Sequence, residues 1–133
     1  MQLTKRASYG LILVLEFARL PANESLSAAS VARRCSLPPA FVEKILHRLR
    51  IAGLLESRQG RAGGYTLRVR PPELSVRRVL ESLDEPIELV PCLGEAPRCE
   101  HVATCPTKKA WGRISGRLAE LLDSLSVDDL LRD

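Results

Sequence analysis

Three of the four cysteines fall within fourteen residues, in the stretch CLGEAPRCEHVATC from Cys92 to Cys105, and His101, one of two histidines, lies among them. The spacing is Cys-x6-Cys-x5-Cys, in a segment bracketed and interrupted by Pro91, Gly94, Pro97 and Pro106. Such a segment offers little apolar packing in which to bury a thiol. Cysteines placed this way in a reducing compartment serve more often as ligands or redox groups than as structure. The spacing is not the C-x2-C of a zinc ribbon. Iron–sulfur clusters are also held by thiolates and accept wider, less regular intervals. Cys105 directly precedes an expected helix, whose first amide groups favour a thiolate or an anionic centre. The fourth cysteine, Cys35, ends the apolar face of a short helix and reads as a buried core thiol.

A second chemistry lies upstream. Residues 33–70 carry nine basic and two acidic side chains, a net +7, although the whole chain has a net charge of only +4. A polyanion would bind there. Aromatic residues make up 4% of the chain, too few for a platform that stacks nucleobases.

The elements that must hold these groups follow from period and punctuation. At 133 residues the chain suits one core with appendages. Apolar residues dominate from Leu3 to Leu20 and Pro21 stops the run, which predicts a first helix. SLSAASVARRC predicts a second helix capped by Ser27. SLPPAFVEKILHRLRIAG predicts a third, with prolines at its first turn and Gly53 at its end. At 100° per residue, Phe41, Val42, Ile45, Leu46 and Leu49 share one arc of this helix. Ala40, Glu43, Lys44, His47 and Arg50 share the other. The period then changes to two: Tyr65, Leu67 and Val69 alternate with Thr66, Arg68 and Arg70, and glycines around RQGRAGG predict a hairpin. A fourth helix carries Val76, Val79, Leu80 and Leu83. Beyond the cysteines, Trp111, Ile114, Leu118, Leu121 and Leu125 recur at intervals of three and four, a narrow seam that calls for a partner helix.

The expected fold class is therefore mainly α with a small β-hairpin, a winged helix-turn-helix followed by a long C-terminal helix. The boundaries read as 1–84 for the winged unit, 85–106 for the cysteine loop, and 107–133 for the last helix and tail. In a winged helix the third helix enters the major groove with its N-terminal residues at base edges, while the hairpin tip reaches neighbouring backbone or minor groove. Pro39, Ala40, Glu43 and Lys44 are the candidates for base edges, and His47 faces DNA beside them. Arg33, Arg34, Arg48 and Arg50 suit phosphates, as do Arg58, Gln59 and Arg61 at the hairpin tip. Glu43 is the specificity candidate, because a carboxylate beside phosphates is repulsive unless it accepts from a cytosine amino group.

The opening MQLTKRASYGL, the block LPPAFVEKILHRLRIAGLLES, the wing GRAGGYTL and the cysteine triplet followed by KKAW together resemble the winged-helix regulator family that contains the iron–sulfur regulator IscR and the nitric-oxide-sensing repressor NsrR. The resemblance covers nearly the whole chain. It implies a homodimer joined by the long C-terminal helix, which fits the seam from Trp111 to Leu125. It also implies a [2Fe–2S] or [4Fe–4S] cluster on Cys92, Cys99 and Cys105, with [2Fe–2S] favoured, whose state changes operator affinity. The fourth ligand departs from the family pattern. IscR-like members place a histidine where this chain has Lys108, and NsrR-like members use an acidic residue where it has Ser8. His101 supplies a neutral imidazole and ranks first.

The readings set against this one are a winged-helix repressor with zinc or a thiol/disulfide sensor at the same cysteines, and an interaction module that keeps the fold without binding DNA. An enzyme is not expected, since there is no Ser/His/Asp pattern, no phosphate-binding glycine loop, and no acidic partner evident for either histidine. The apolar run YGLILVL is too short to cross a bilayer and no A-x-A site follows it, so a cytoplasmic protein without membrane contact is expected.

Overall fold

The computed structural model describes residues 3–60, 63–85, 87–93, 100–101 and 103–133, with Pro91 described in its backbone only. Helices α1 (Lys5–Ala18), α2 (Ala28–Cys35) and α3 (Pro39–Ile51) precede the strands β1 (Leu55–Arg58) and β2 (Gly64–Leu67), and α4 (Val76–Ser82), α5 (Lys108–Ser124) and α6 (Val127–Leu131) follow. Two 3-10 turns, Pro71–Glu73 and Pro91–Leu93, flank α4 and begin the cysteine loop. This is the winged helix-turn-helix that the sequence predicts.

Local chemistry sets the boundaries. Thr4 caps α1 by accepting from the Ala7 amide at 3.2 Å, so the helix begins two residues later than the apolar run suggests. Ser27 caps α2 by accepting from the Ser30 amide at 3.1 Å, as expected. Pro39 opens α3, where its missing N–H costs nothing, and Gly53 follows its end with φ +81.

β1 and β2 pair antiparallel, with Leu55 opposite Leu67 and Arg58 opposite Gly64. Leu26 extends the sheet on the far side of β2, exchanging backbone hydrogen bonds with Tyr65 at 3.0 and 2.7 Å. A β-carbon on Gly64 would collide with the Leu26 backbone, so the third glycine of the wing is there for close approach rather than for bending. Tyr65, Leu67 and Val69 pack on the core, as the alternation predicts.

The main core gathers Leu13, Val14 and Phe17 of α1, Val31 and Ala32 of α2, and Val42, Ile45, Leu46 and Leu49 of α3. Leu26, Leu54, Leu55, Leu74, Val79 and Leu83 complete it, together with Val127 at the far end of the chain. Cys35 is only partly buried at its edge, because Ser36, the residue after it, turns the chain out through a left-handed conformation.

The C-terminal region departs from a single helix and tail. α5 ends at Ser124, Leu125 is extended, and α6 starts from a capping box in which Ser126 and Asp129 satisfy each other's amides at 3.0 and 2.9 Å. That arrangement holds the Asp129 carboxyl below the usual carboxylate range, chiefly through the Ser126 amide. The Val76 amide donates to Leu125 at 2.8 Å and the Val127 amide donates to Leu74 at 2.8 Å, so residues 74–76 and 125–127 run as a short antiparallel ladder. Leu125 therefore turns inward with Leu122 and Leu130 against Ala7, Val76 and Leu80, instead of continuing the exposed seam.

Candidate functional site

Helix α3 is positioned from beneath by four buried side chains, Val42, Ile45, Leu46 and Leu49, and from its N-terminal end by Phe41. The Phe41 ring meets Tyr9 of α1 edge to face, with centroids 5.6 Å apart and planes at 89°. Pro39, Ala40, Glu43, Lys44, His47 and Arg50 are all exposed on the opposite side. A rigid apolar underside thus presents an open face on which Lys44 and Arg50 outnumber Glu43, the arrangement that a groove-reading helix requires.

The flanking arginines behave differently from one another. Arg33 is exposed at the end of α2. Arg34 donates to Glu16 at 3.3 Å, and Glu16 also takes Arg19 at 3.5 Å, so one half-buried carboxylate serves two guanidiniums. Arg48 is ion-paired with Asp84, the residue after the C-cap of α4. Arg58 stands at the end of β1 and donates to the Asn23 carbonyl at 3.1 Å, which ties the wing to the turn after α1. Gln59 is exposed beyond it, and Arg61 lies outside the described residues. Sequence spacing could not reveal Asp84 or the Asn23 carbonyl, since their partners lie 36 and 35 residues away.

The cysteine loop leaves the winged unit after α4. Cys92 sits in the turn Pro91–Leu93, which packs against α5, and Cys105 lies on the N-terminal flank of that same helix. Both thiols are free and partly accessible. Cys105 Sγ lies 3.2 Å from Thr107 Oγ1. The Thr107 hydroxyl, helped by the backbone amides of Thr107 and Lys108, lowers the Cys105 thiol from its ordinary value. Burial pushes Cys35 the other way, with Glu16 adding to the effect. The expected preference of the helix start for a thiolate is therefore expressed mainly through Thr107, a contact the sequence analysis did not single out.

Cys99 lies outside the described residues. Among the described residues no group of three or more His, Cys, Asp or Glu side chains is arranged around a metal position. Of the three candidates for a fourth ligand, His101 is exposed in a turn closed by the Thr104 amide at 3.1 Å, Lys108 is exposed at the first position of α5, and Ser8 is exposed on α1. The donors present, two accessible thiols with one biased toward thiolate, suit a thiophilic centre.

Along α5, Trp111, Ile114 and Leu121 are 38%, 49% and 54% exposed and Leu118 is half-buried. The seam thus lies open on the side away from Leu122 and Leu125. No helix is long and apolar enough to cross a membrane among the described residues.

The sequence profile of the Rrf2 family, described as iron-dependent transcriptional regulator, matches residues 3–133. The chain is 32% identical over 133 residues to Protein rrf2 of Nitratidesulfovibrio vulgaris, covering all of this chain and 89% of that protein. It is 29% identical to the HTH-type transcriptional regulator IscR of Aliivibrio salmonicida, covering 100% of this chain and 79% of the relative. Among solved structures, CymR, the global cysteine regulator of B. subtilis, superposes with a TM-score of 0.80 at 27% identity, covering 99% and 97% of the two chains. IscR of T. potens superposes with a TM-score of 0.79 at 26% identity, covering 100% and 88%. A winged helix with a cationic recognition face, matched over its whole length by regulators of this kind, makes the chain a DNA-binding transcriptional regulator of the Rrf2 family.

Proposed function

We propose that this regulator is a homodimeric repressor whose operator affinity is controlled by an iron–sulfur cluster held by Cys92, Cys99 and Cys105. The observation that carries the reading is that Cys92 and Cys105 bound one loop, joined on one side to the unit that reads DNA and on the other to the helix with the open apolar seam. When bound, the cluster supplies a redox-active and ligand-sensitive anchor for that loop. Cys92 tethers the turn against α5, and Cys105 with Thr107 holds the start of that helix. His101 is the first choice for the remaining ligand, ahead of Ser8 and Lys108, and [2Fe–2S] is favoured over [4Fe–4S].

Pro39, Ala40, Glu43 and Lys44 then address base edges, with His47 beside them. Arg33, Arg50 and Gln59 address phosphates together with Arg61, Arg34 and Arg58 do so from tethered positions, and Arg48 does so when it is not paired with Asp84. Trp111, Ile114, Leu118 and Leu121 join the protomers. Two recognition helices so joined read half-sites about 34–36 Å apart, so a small change at the dimer helix alters their fit.

Iron and sulfide analysis of anaerobically purified protein, with its visible spectrum, tests this. Stoichiometric iron and sulfide with charge-transfer absorption are expected, lost in Cys92→Ala, Cys99→Ala and Cys105→Ala. A colourless protein that carries zinc would replace the cluster with a zinc site. A second reading, reversible thiol oxidation at the same cysteines, is favoured by the lowered Cys105 thiol and by the likeness to Staphylococcus aureus CymR in its oxidized form, at 25% identity and a TM-score of 0.79. It predicts a metal-free protein whose DNA binding responds to reductant.

A further inference from the structure

Leu83, Asp84 and Glu85 are consecutive, and each is held by a different part of the winged unit. Leu83 is fully buried against Gly10 of α1. Asp84 pairs with Arg48 of α3. Glu85, 8% exposed, accepts from the Thr4 hydroxyl at 2.6 Å, the same hydroxyl that caps α1. The chain passes from these three residues directly into the cysteine loop, and Asp84 adopts a left-handed backbone with φ +55 that a non-glycine residue seldom takes. The point where the loop leaves the core is thus the point at which it touches the recognition helix.

Arg48 lies in the C-terminal half of α3, the part of a recognition helix that runs beside the DNA backbone. It shares a surface groove with His47, Ile51, Glu81 and Asp84. The other carboxylate of that groove, Glu81, is engaged by Arg77 at 2.8 Å. Asp84 is 72% exposed and Arg48 40% exposed, so their pairing changes an equilibrium by a factor of about two to five at most. A contact that weak contributes little to folding. It suits a catch that opens readily.

We propose that Asp84 is a latch on a DNA-contacting arginine: with Glu85 anchored on Thr4 it neutralises Arg48, and a displacement of the cysteine loop that pulls Glu85 from Thr4 withdraws Asp84 and frees the guanidinium for a DNA phosphate. Asp84 acts through Arg48 and is a positioning residue. The regulation rests on the cysteine loop being the sensing segment.

The test uses the full chain, loaded and metal-free, titrated by fluorescence anisotropy against a mixed-sequence duplex of about 30 base pairs over a salt series. Asp84→Asn is expected to bind about two- to fivefold more tightly per protomer, with a log K against log salt slope steeper by about one phosphate contact per protomer. Arg48→Gln is expected to weaken binding, and the double variant to behave as Arg48→Gln. Glu88→Gln, which removes a nearby exposed charge that makes no ion pair with Arg48, should leave the slope unchanged. An unchanged slope in Asp84→Asn, a gain that survives in the double variant, or an equal gain in Glu88→Gln would each overturn the latch. Unaltered melting midpoints establish that the variants fold. Iron and sulfide content decides the cluster reading separately. Colourless protein in which Asp84→Asn still gains keeps the latch and rejects the cluster, whereas coloured protein in which it gains nothing rejects the latch alone.

Discussion

Leu83 fills the notch left by Gly10: its Cδ1 lies where a β-carbon on the glycine would have to go. A glycine in the middle of a helix costs about 0.5–1 kcal/mol relative to alanine, so packing must offset that loss. Because Leu83 is fully buried it has no free direction in which to retreat. Gly10→Ala is expected to destabilise by about 1–2 kcal/mol, overpacking outweighing the gain in helix propensity. Urea unfolding measures this, and in a Leu83→Ala background the penalty should fall, exposing the coupling between the two positions.

Glu43 is exposed beside Lys44 on the face of α3 that the core leaves open. Its carboxylate can accept from a cytosine amino group but is repelled by phosphate. Glu43→Ala is expected to lose about 1–3 kcal/mol of discrimination at one base position while affinity for weaker sites holds or rises. Binding to a panel of operator variants checks this. Uniform weakening across the panel would remove Glu43 from the specificity set.

The two cysteines with displaced acidity should differ in reactivity. Thr107 lowers the Cys105 thiol, whereas burial raises that of Cys35. In reduced, metal-free protein, alkylation by iodoacetamide rises with pH as each thiolate forms, so Cys105 should reach half its maximal rate at a lower pH than Cys35. Thr107→Val should move the Cys105 profile upward. Peptide mass spectrometry over a pH series reads both sites at once.

Neighbouring leucines on α5 should fail in different ways. Leu121 is exposed on the seam, and Leu122 packs against the unit of Ala7, Val76 and Leu80. Trp111→Ala with Leu121→Ala is expected to weaken self-association by at least about 2 kcal/mol, roughly thirtyfold, while the melting transition of the isolated protomer barely moves. Leu122→Ala should lower protomer stability by about 1–2 kcal/mol, less than a fully buried leucine costs. Sedimentation velocity and unfolding, run side by side, separate the two outcomes.

The winged unit was legible because its helices announce themselves locally. Ser27 and Pro39 mark starts, Gly53 marks an end, and the 3.6 period of α3 divides Val42, Ile45, Leu46 and Leu49 from Glu43, Lys44 and His47 without ambiguity. The dependence of Arg34 on Glu16 and of Arg48 on Asp84 was not legible, because an ion pair across 18 or 36 residues leaves no trace in spacing. Cys35 sits shallower than the apolar face of its helix suggests, since such a face does not say where its edge falls. The break between α5 and α6 does carry a signal, since Ser126 followed three residues later by Asp129 is a capping box, but the five residues VDDLL are too few to establish a period behind it.

The ladder between residues 74–76 and 125–127 makes α5 a lever that also rests on α4 and on the turn Pro91–Leu93. Its C-terminal end is pinned by two backbone hydrogen bonds to the winged unit, and its other end carries Cys105. Seventeen residues of α-helix reach about 25 Å. A tilt of about 5° at the pinned end therefore swings the Cys105 end by about 2 Å. Read in reverse, a displacement of that size at the cysteines returns to the DNA-binding unit as a gentle torque on residues 74–76, delivered at the start of α4.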